Sequence, residues 1–186
     1  MMRLYVIDGL DGSGKDTQAY RLKEYLSKDG REVVLRIHPS PDNAFGRISK
    51  RSLTKSGQLW RLVATLFYGL DVVRSILLYA HGDRDVIFVR YTLACAYLPQ
   101  ALIRPVYAVV NLILPKSPNM FFLDVSPGEA LRRIKARGDS EEMFETLPHL
   151  EKNRNRALLI LGNWKVVDGN VAPEAVFDQI VKNITP

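Results

Sequence analysis

Residues 4–17 read Leu4-Tyr5-Val6-Ile7-Asp8-Gly9-Leu10-Asp11-Gly12-Ser13-Gly14-Lys15-Asp16-Thr17: a short apolar run, a glycine-rich turn and the start of a helical pattern. The Gly-x-x-x-x-Gly-Lys spacing from Gly9 to Lys15 gains its meaning from that setting between strand and helix. Glycines let the backbone fold into a nest of N–H donors around a phosphate, and the following helix adds partial positive charge at its N-terminus. Lys15 reaches the β- and γ-phosphates as a point charge. The phosphate-binding set is therefore Gly9, Asp11, Gly12, Ser13, Gly14, Lys15, Asp16 and Thr17, and the expected ligand is ATP with Mg²⁺.

One position departs from the pattern. Asp16 stands where a Ser or Thr hydroxyl normally ligates magnesium. A carboxylate is an oxygen donor suited to a hard cation, so Asp16 is the first metal candidate. It also places negative charge beside a triphosphate, which weakens nucleotide binding unless a cation intervenes. Thr17 offers a hydroxyl in a different helical register and is the second metal candidate.

Outward from this loop, short apolar runs alternate with longer helical patterns, the signature of βαβ units and a parallel sheet covered on both faces. Strands are expected at Leu4 to Ile7, Val33 to Ile37, Val86 to Val89, Met120 to Val125 and Trp164 to Val167. Helices are expected over Lys15 to Lys28, Gln58 to Tyr79, Pro127 to Arg137, Phe144 to Leu161 and Pro173 to Asn183, with Pro127 and Pro173 in first-turn positions. The fold class is thus α/β, a doubly wound five-stranded parallel sheet flanked by helices, in one P-loop kinase domain spanning 1–186. Ligands in such sheets bind beyond the carboxyl ends of the strands, so the site lies after Ile7, Ile37, Val89 and Val125.

Composition narrows the partners. With 47% hydrophobic and 25% charged residues, the chain reads as an ordinary globular protein. The net charge of +6 suits a phosphorylated small molecule, and the densest basic run, Arg47 to Lys55, lacks the interleaved aromatics of a single-strand binder, so no nucleic-acid partner is expected. The single cysteine, Cys95, excludes an intramolecular disulfide, points to a reducing cytoplasm and reads as a small buried apolar residue. The strongest candidate membrane segment, Leu98 to Leu114, is interrupted by Gln100, Arg104, Asn111 and two prolines; it reads as a helix pair rather than a stable span. His38 reads as a solvent-facing loop residue.

The same residues resemble the thymidylate kinase family of nucleoside-monophosphate kinases. The resemblance rests on Asp8 to Gln18, then in order Leu66-Phe67-Tyr68, Val89-Arg90-Tyr91, Phe122-Leu123-Asp124-Val125, Ala130 to Ile134 with Arg137, Glu145 to Arg154, and Val167-Asp168-Gly169. It implies transfer of the γ-phosphoryl group of ATP to a nucleoside monophosphate, with dTMP the best single acceptor, in a magnesium-dependent homodimer. By position, Asp8 would lie near the acceptor phosphate and the metal. Phe67 would stack on the acceptor base, and Arg90 would hold its phosphate. The catalytic cation would come from a lid at about 132–145, with Arg133 and Arg137 the candidates, because the phosphate loop carries no arginine. Tyr97 falls one residue before the family's acceptor-site tyrosine.

Three departures sit on the acceptor side. Val89 replaces an Asp, Asp71 stands where the family has an Arg, and His38-Pro39-Ser40 replaces Glu-Pro-Gly. Arg74, one turn beyond Asp71, either supplies the displaced cation or is taken by Asp71. These departures keep open a different phosphorylated acceptor, and Asp16 keeps open a non-catalytic nucleotide-binding module.

Overall fold

The computed structural model describes residues 2–28, 30–55, 57–137 and 146–185. In chain order the elements are β1 (Arg3–Gly9), α1 (Lys15–Ser27), β2 (Val33–Ile37), α2 (Ala44–Leu53), α3 (Gln58–Tyr79), β3 (Asp85–Val89), α4 (Gln100–Ile113), β4 (Asn119–Asp124), α5 (Pro127–Arg137), α6 (Leu147–Leu158), β5 (Lys165–Asp168) and α7 (Pro173–Lys182). A 3₁₀ turn, Leu93–Tyr97, precedes α4. Positions 138–145, which include most of the expected lid and the expected helix start at Phe144, lie outside the described residues.

The five strands pair in the order β2-β3-β1-β4-β5, all parallel. Side chains alternate along β1, so Leu4 and Val6 face one layer while Tyr5 and Ile7 face the other. On the first face they meet Val86, Phe88 and Phe122 with Val72 of α3, Ile103 of α4 and Ala157 of α6. On the second they meet Ile87, Val89, Phe121 and Leu123 with Leu22 of α1 and Ile180 of α7. This two-sided burial is why the strands read as continuous apolar runs. The chain lays β2 and β3 on one side of β1 and β4 on the other, so the crevice where strand order reverses opens at the carboxyl end of β1, where the glycine-rich loop begins.

Two elements depart from the sequence expectation. The segment read as a basic run forms α2, whose Asn43 caps it by accepting from the Gly46 amide at 3.0 Å. The segment read as a helix pair is the single helix α4, with Pro105 inside it. The membrane reading also shifts. By length and composition the described helix able to cross a membrane is Leu59–Tyr79, with mean hydropathy 1.6 and 22% of its window buried, rather than the 98–114 segment. Its Asp71 and Ser75 are fully buried and bonded to the loop after β2, which fastens α3 into the domain.

The α2 start packs directly on that loop: a Cβ at Gly46 would collide with the Ser40 carbonyl, and backbone cannot yield as a flexible side-chain tip can. Gly46→Ala is expected to lower stability by about 1–3 kcal/mol, a fall in Tm of roughly 3–10 °C in thermal unfolding followed by circular dichroism.

Candidate active site

The loop from Gly9 to Gly14 is built by the conformations glycine allows. Gly14 adopts φ 84° and caps α1, and the Ser13 amide closes a turn on the Leu10 carbonyl at 3.1 Å. Gly12 sits at φ 78° against α5, where an added Cβ would lie 2.5 Å from the Ala130 carbonyl oxygen. Lys15 is buried and folds back over the loop, its Nζ donating to the Leu10 carbonyl at 2.9 Å and to Asp11 Oδ1 at 3.2 Å.

Arg90 emerges just after β3 and donates to the same Asp11 Oδ1 at 2.7 Å, while the Tyr97 hydroxyl lies 3.4 Å from Oδ2. Burial pushes the Asp11 carboxyl up, but the Lys15 and Arg90 cations outweigh it and hold the group well below the usual carboxylate range. Burial and the adjacent Asp11 raise the Tyr97 phenol, so its hydroxyl remains a donor. Asp8 lies buried at the end of β1, accepting from the Gly9 amide at 2.9 Å and the Tyr91 amide at 3.0 Å. Burial raises its pKa against the pull of those two amides. Asp8 therefore stitches the end of β1 to the end of β3. The structure brings Asp8, Asp11, Lys15, Arg90 and Tyr97 together.

A cavity of about 950 Å³ opens beside this cluster, walled by α1, α3, α4 and the loop after β2. Asp16 faces it from the first turn of α1, with Tyr20 and Lys23 on the same stripe; the Asp16 Oδ1 is buried without a hydrogen-bond partner. Thr17 points to solvent on another face. From α3, Tyr68 and Gly69 contribute to the wall. Phe67 does not: it is turned toward α2, its ring 6.2 Å from that of Phe45. A one-residue step moves a side chain about 100° round a helix, so the Leu-Phe-Tyr triplet offers Tyr68 to the cavity and sends Phe67 behind it.

The departures on the acceptor side become a connected structure. Asp71 accepts from the Ser40 amide at 2.6 Å and from Asn43 Nδ2 at 2.7 Å, so its carboxylate anchors the loop after β2 instead of an exposed pair with Arg74. Arg74 is absent from the cavity wall, and its Nη1 is buried without a hydrogen-bond partner. His38 is fully buried rather than solvent-facing, held between Ser75 Oγ at 2.9 Å and the Arg90 carbonyl at 3.2 Å. Periodicity on α3 marks 64, 68, 71, 72 and 75 as inward positions, but a pattern read from apolar residues passes over the buried Asp71 and Ser75.

On the lid side, Glu129 accepts from Arg132 and Arg133, and Arg133 also donates to the Gly169 carbonyl at 2.9 Å. Arg133 thus ties α5 to the loop after β5, while Arg137 ends α5 at the edge of the undescribed stretch. Arg154 of α6 grips Asp124 bidentately at 2.7 and 2.8 Å, closing α6 onto the end of β4.

The sequence matches the family described as thymidylate kinase over residues 7–180. It is 30% identical to a probable thymidylate kinase of Pyrococcus abyssi, over 95% of this chain and 92% of that one. It is 32% identical to the thymidylate kinase of Xanthomonas euvesicatoria, over 95% and 80%. The fold superposes on that of thymidylate kinase from Candida albicans with a TM-score of 0.74 at 23% identity, covering 97% of this chain and 89% of that one. With the phosphate loop, strand order and family match in agreement over nearly its whole length, this chain belongs to the thymidylate kinase family of nucleoside-monophosphate kinases.

Proposed function

We propose that this protein transfers the γ-phosphoryl group of ATP to a nucleoside monophosphate, dTMP first among acceptors, through a single kinase domain over 1–186. The observation that carries this reading is the pair of cations on one carboxylate: Lys15 from the phosphate loop and Arg90 from the end of β3, both on Asp11 Oδ1. Loop amides and Lys15 hold the donor phosphates, and Arg90 holds the acceptor phosphate across from them. Phosphoryl transfer asks a protein chiefly for such positioning and for positive charge around the moving group. Tyr97 orients Asp11 and faces the acceptor. We assign the base to the wall formed by Tyr68, with Phe67 supporting it from behind and Arg74 at the far side of α3. Arg137 supplies the lid cation, with Arg133 joining it on release from Glu129 and Gly169.

Charge balance supports a magnesium requirement. At the mouth of the loop Asp8, Asp11 and Asp16 gather, with Lys15 and Arg90 both engaged on Asp11. The unpartnered Asp16 Oδ1 fits an oxygen-seeking cation, whereas Thr17 faces solvent and both Asp8 oxygens already accept backbone amides. Bound Mg²⁺ would neutralise charge on the phosphoryl oxygens.

We further propose a cytoplasmic homodimer with neither a membrane span nor a nucleic-acid partner. Leu59, Leu62, Leu66 and Leu77 are 59–72% exposed along α3. A stripe of this kind on a helix fastened into the domain suits a second copy of the same surface.

In a coupled ADP-release assay across the common nucleoside monophosphates with ATP, turnover is expected with dTMP, and Lys15→Ala should lower it by at least about 10²-fold. ATP binding without transfer to any acceptor would overturn the kinase reading. Asp16→Ser should keep most of the turnover and change the ratio of Mg²⁺- to Mn²⁺-supported rates; an unchanged ratio with much tighter ATP binding would show that the carboxylate is a charge penalty instead. In sedimentation velocity at micromolar concentration the protein should run as a dimer and the Leu62→Glu, Leu77→Glu variant as a monomer.

A further inference from the structure

Arg90 is the single non-glycine residue with positive φ among the described residues, at 58°. A left-handed backbone is unfavourable for a residue with a side chain, and it persists where neighbours over-determine it. The neighbours here are specific. The Arg90 amide donates to the Ile7 carbonyl at 3.3 Å. Its carbonyl accepts the Tyr68 hydroxyl at 2.6 Å and faces His38 Nδ1 at 3.2 Å, and the next amide, of Tyr91, is held by Asp8 at 3.0 Å.

The chemistry of these groups leaves one arrangement. A carbonyl oxygen only accepts, so His38 Nδ1 carries the proton, and Nε2 accepts from the Ser75 hydroxyl 2.9 Å away. Burial lowers the His38 pKa, which keeps the ring neutral in this tautomer. The Tyr68 phenol is pushed up by burial and stays a donor. Two donors from two elements, α3 and the loop after β2, therefore converge on the carbonyl of the strained residue. Ser75, one turn beyond Asp71 on α3, fixes the ring that supplies one of them.

We infer that Tyr68 and His38, backed by Ser75, are positioning residues for the acceptor phosphate: they hold the Arg90 backbone left-handed so that its guanidinium projects onto Asp11 and into the cavity. This rests on the reading of Arg90 as the acceptor-phosphate cation. It gives the His38-Pro39-Ser40 departure a purpose, because His38 reaches the Arg90 backbone rather than the acceptor.

The test is a kinetic double-mutant cycle with dTMP and ATP. Tyr68→Phe keeps the ring and removes only the donor; it should raise KM for dTMP about tenfold and leave KM for ATP within about twofold. In an Arg90→Ala background the same change should have no further effect on dTMP. His38→Leu should behave as Tyr68→Phe does, and His38→Asn, which keeps a donor near the Nδ1 position, should restore most of the loss. Should either variant fail to fold, Ser75→Ala should show the same selectivity for dTMP at about two- to fourfold. Equal effects on both substrates, or additivity in the Arg90→Ala background, would overturn the positioning role while leaving Arg90 as the acceptor cation. Unchanged dTMP kinetics in Arg90→Ala alone would overturn both.

Discussion

Asp11 Oδ1 receives the Lys15 ammonium at 3.2 Å and the Arg90 guanidinium at 2.7 Å, and the geometry of the crevice follows from that shared contact. A buried lysine and a partly buried arginine cannot be held close together without an anion between them, since repulsion and desolvation oppose it. The carboxylate permits a lysine from one loop and an arginine from another strand end to wait within reach of each other. In the proposed reaction, phosphates would take them over one at a time, with the aspartate keeping whichever cation is not yet engaged. The sheet order makes this possible: β1 and β3 are adjacent, so the loops leaving them share one mouth.

The acceptor side solves a different problem. The loop after β2 carries polar backbone that must be satisfied where it is buried. Asp71 does this with two charge-assisted bonds to Ser40 and Asn43, Asn43 in turn caps α2, and His38 joins the loop to Arg90. Asp71 and His38, the departures that bury polar side chains here, are each bonded to that loop or to the Arg90 backbone. Replacing one alone would leave a buried polar group unpaired, at about 1–3 kcal/mol. The departures are best understood as one exchanged network, with the cation-bearing strand end kept and its supports replaced.

The sheet and the phosphate loop were legible because their physics is local. Strands buried on both faces appear as apolar runs, and a glycine-rich turn before Lys15 has one good use. Helix α2 was hidden because its inward positions carry Gly46, Ser49 and Ser52, so polar and basic residues dominate its text. The exchange of Phe67 for Tyr68 at the cavity wall turns on one residue of helical phase, which a family motif does not fix. In the sequence His38 reads as solvent-facing, and the partners of Asp71 stay open, because burial of a polar side chain depends on partners 28 to 52 positions away in sequence. Of the lid expected at about 132–145, positions 138–145 lie outside the described residues.

Helix α3 links these parts. One face packs on the sheet through Val72, and Asp71 and Ser75 bond to the loop after β2. Tyr68 reaches the Arg90 carbonyl from the cavity wall. Leu66 and Leu70 border the same cavity yet are 59% and 39% exposed, so they belong to its rim and to the outer leucine stripe at once. Any surface that covers α3 must therefore also narrow the mouth of the cavity. An apolar rim left open to water would bind a base weakly, since its hydrophobic contribution scales with the area finally removed from solvent. In the proposed homodimer, covering Leu66 and Leu70 would therefore also change the rim of the cavity, without moving the cations on Asp11.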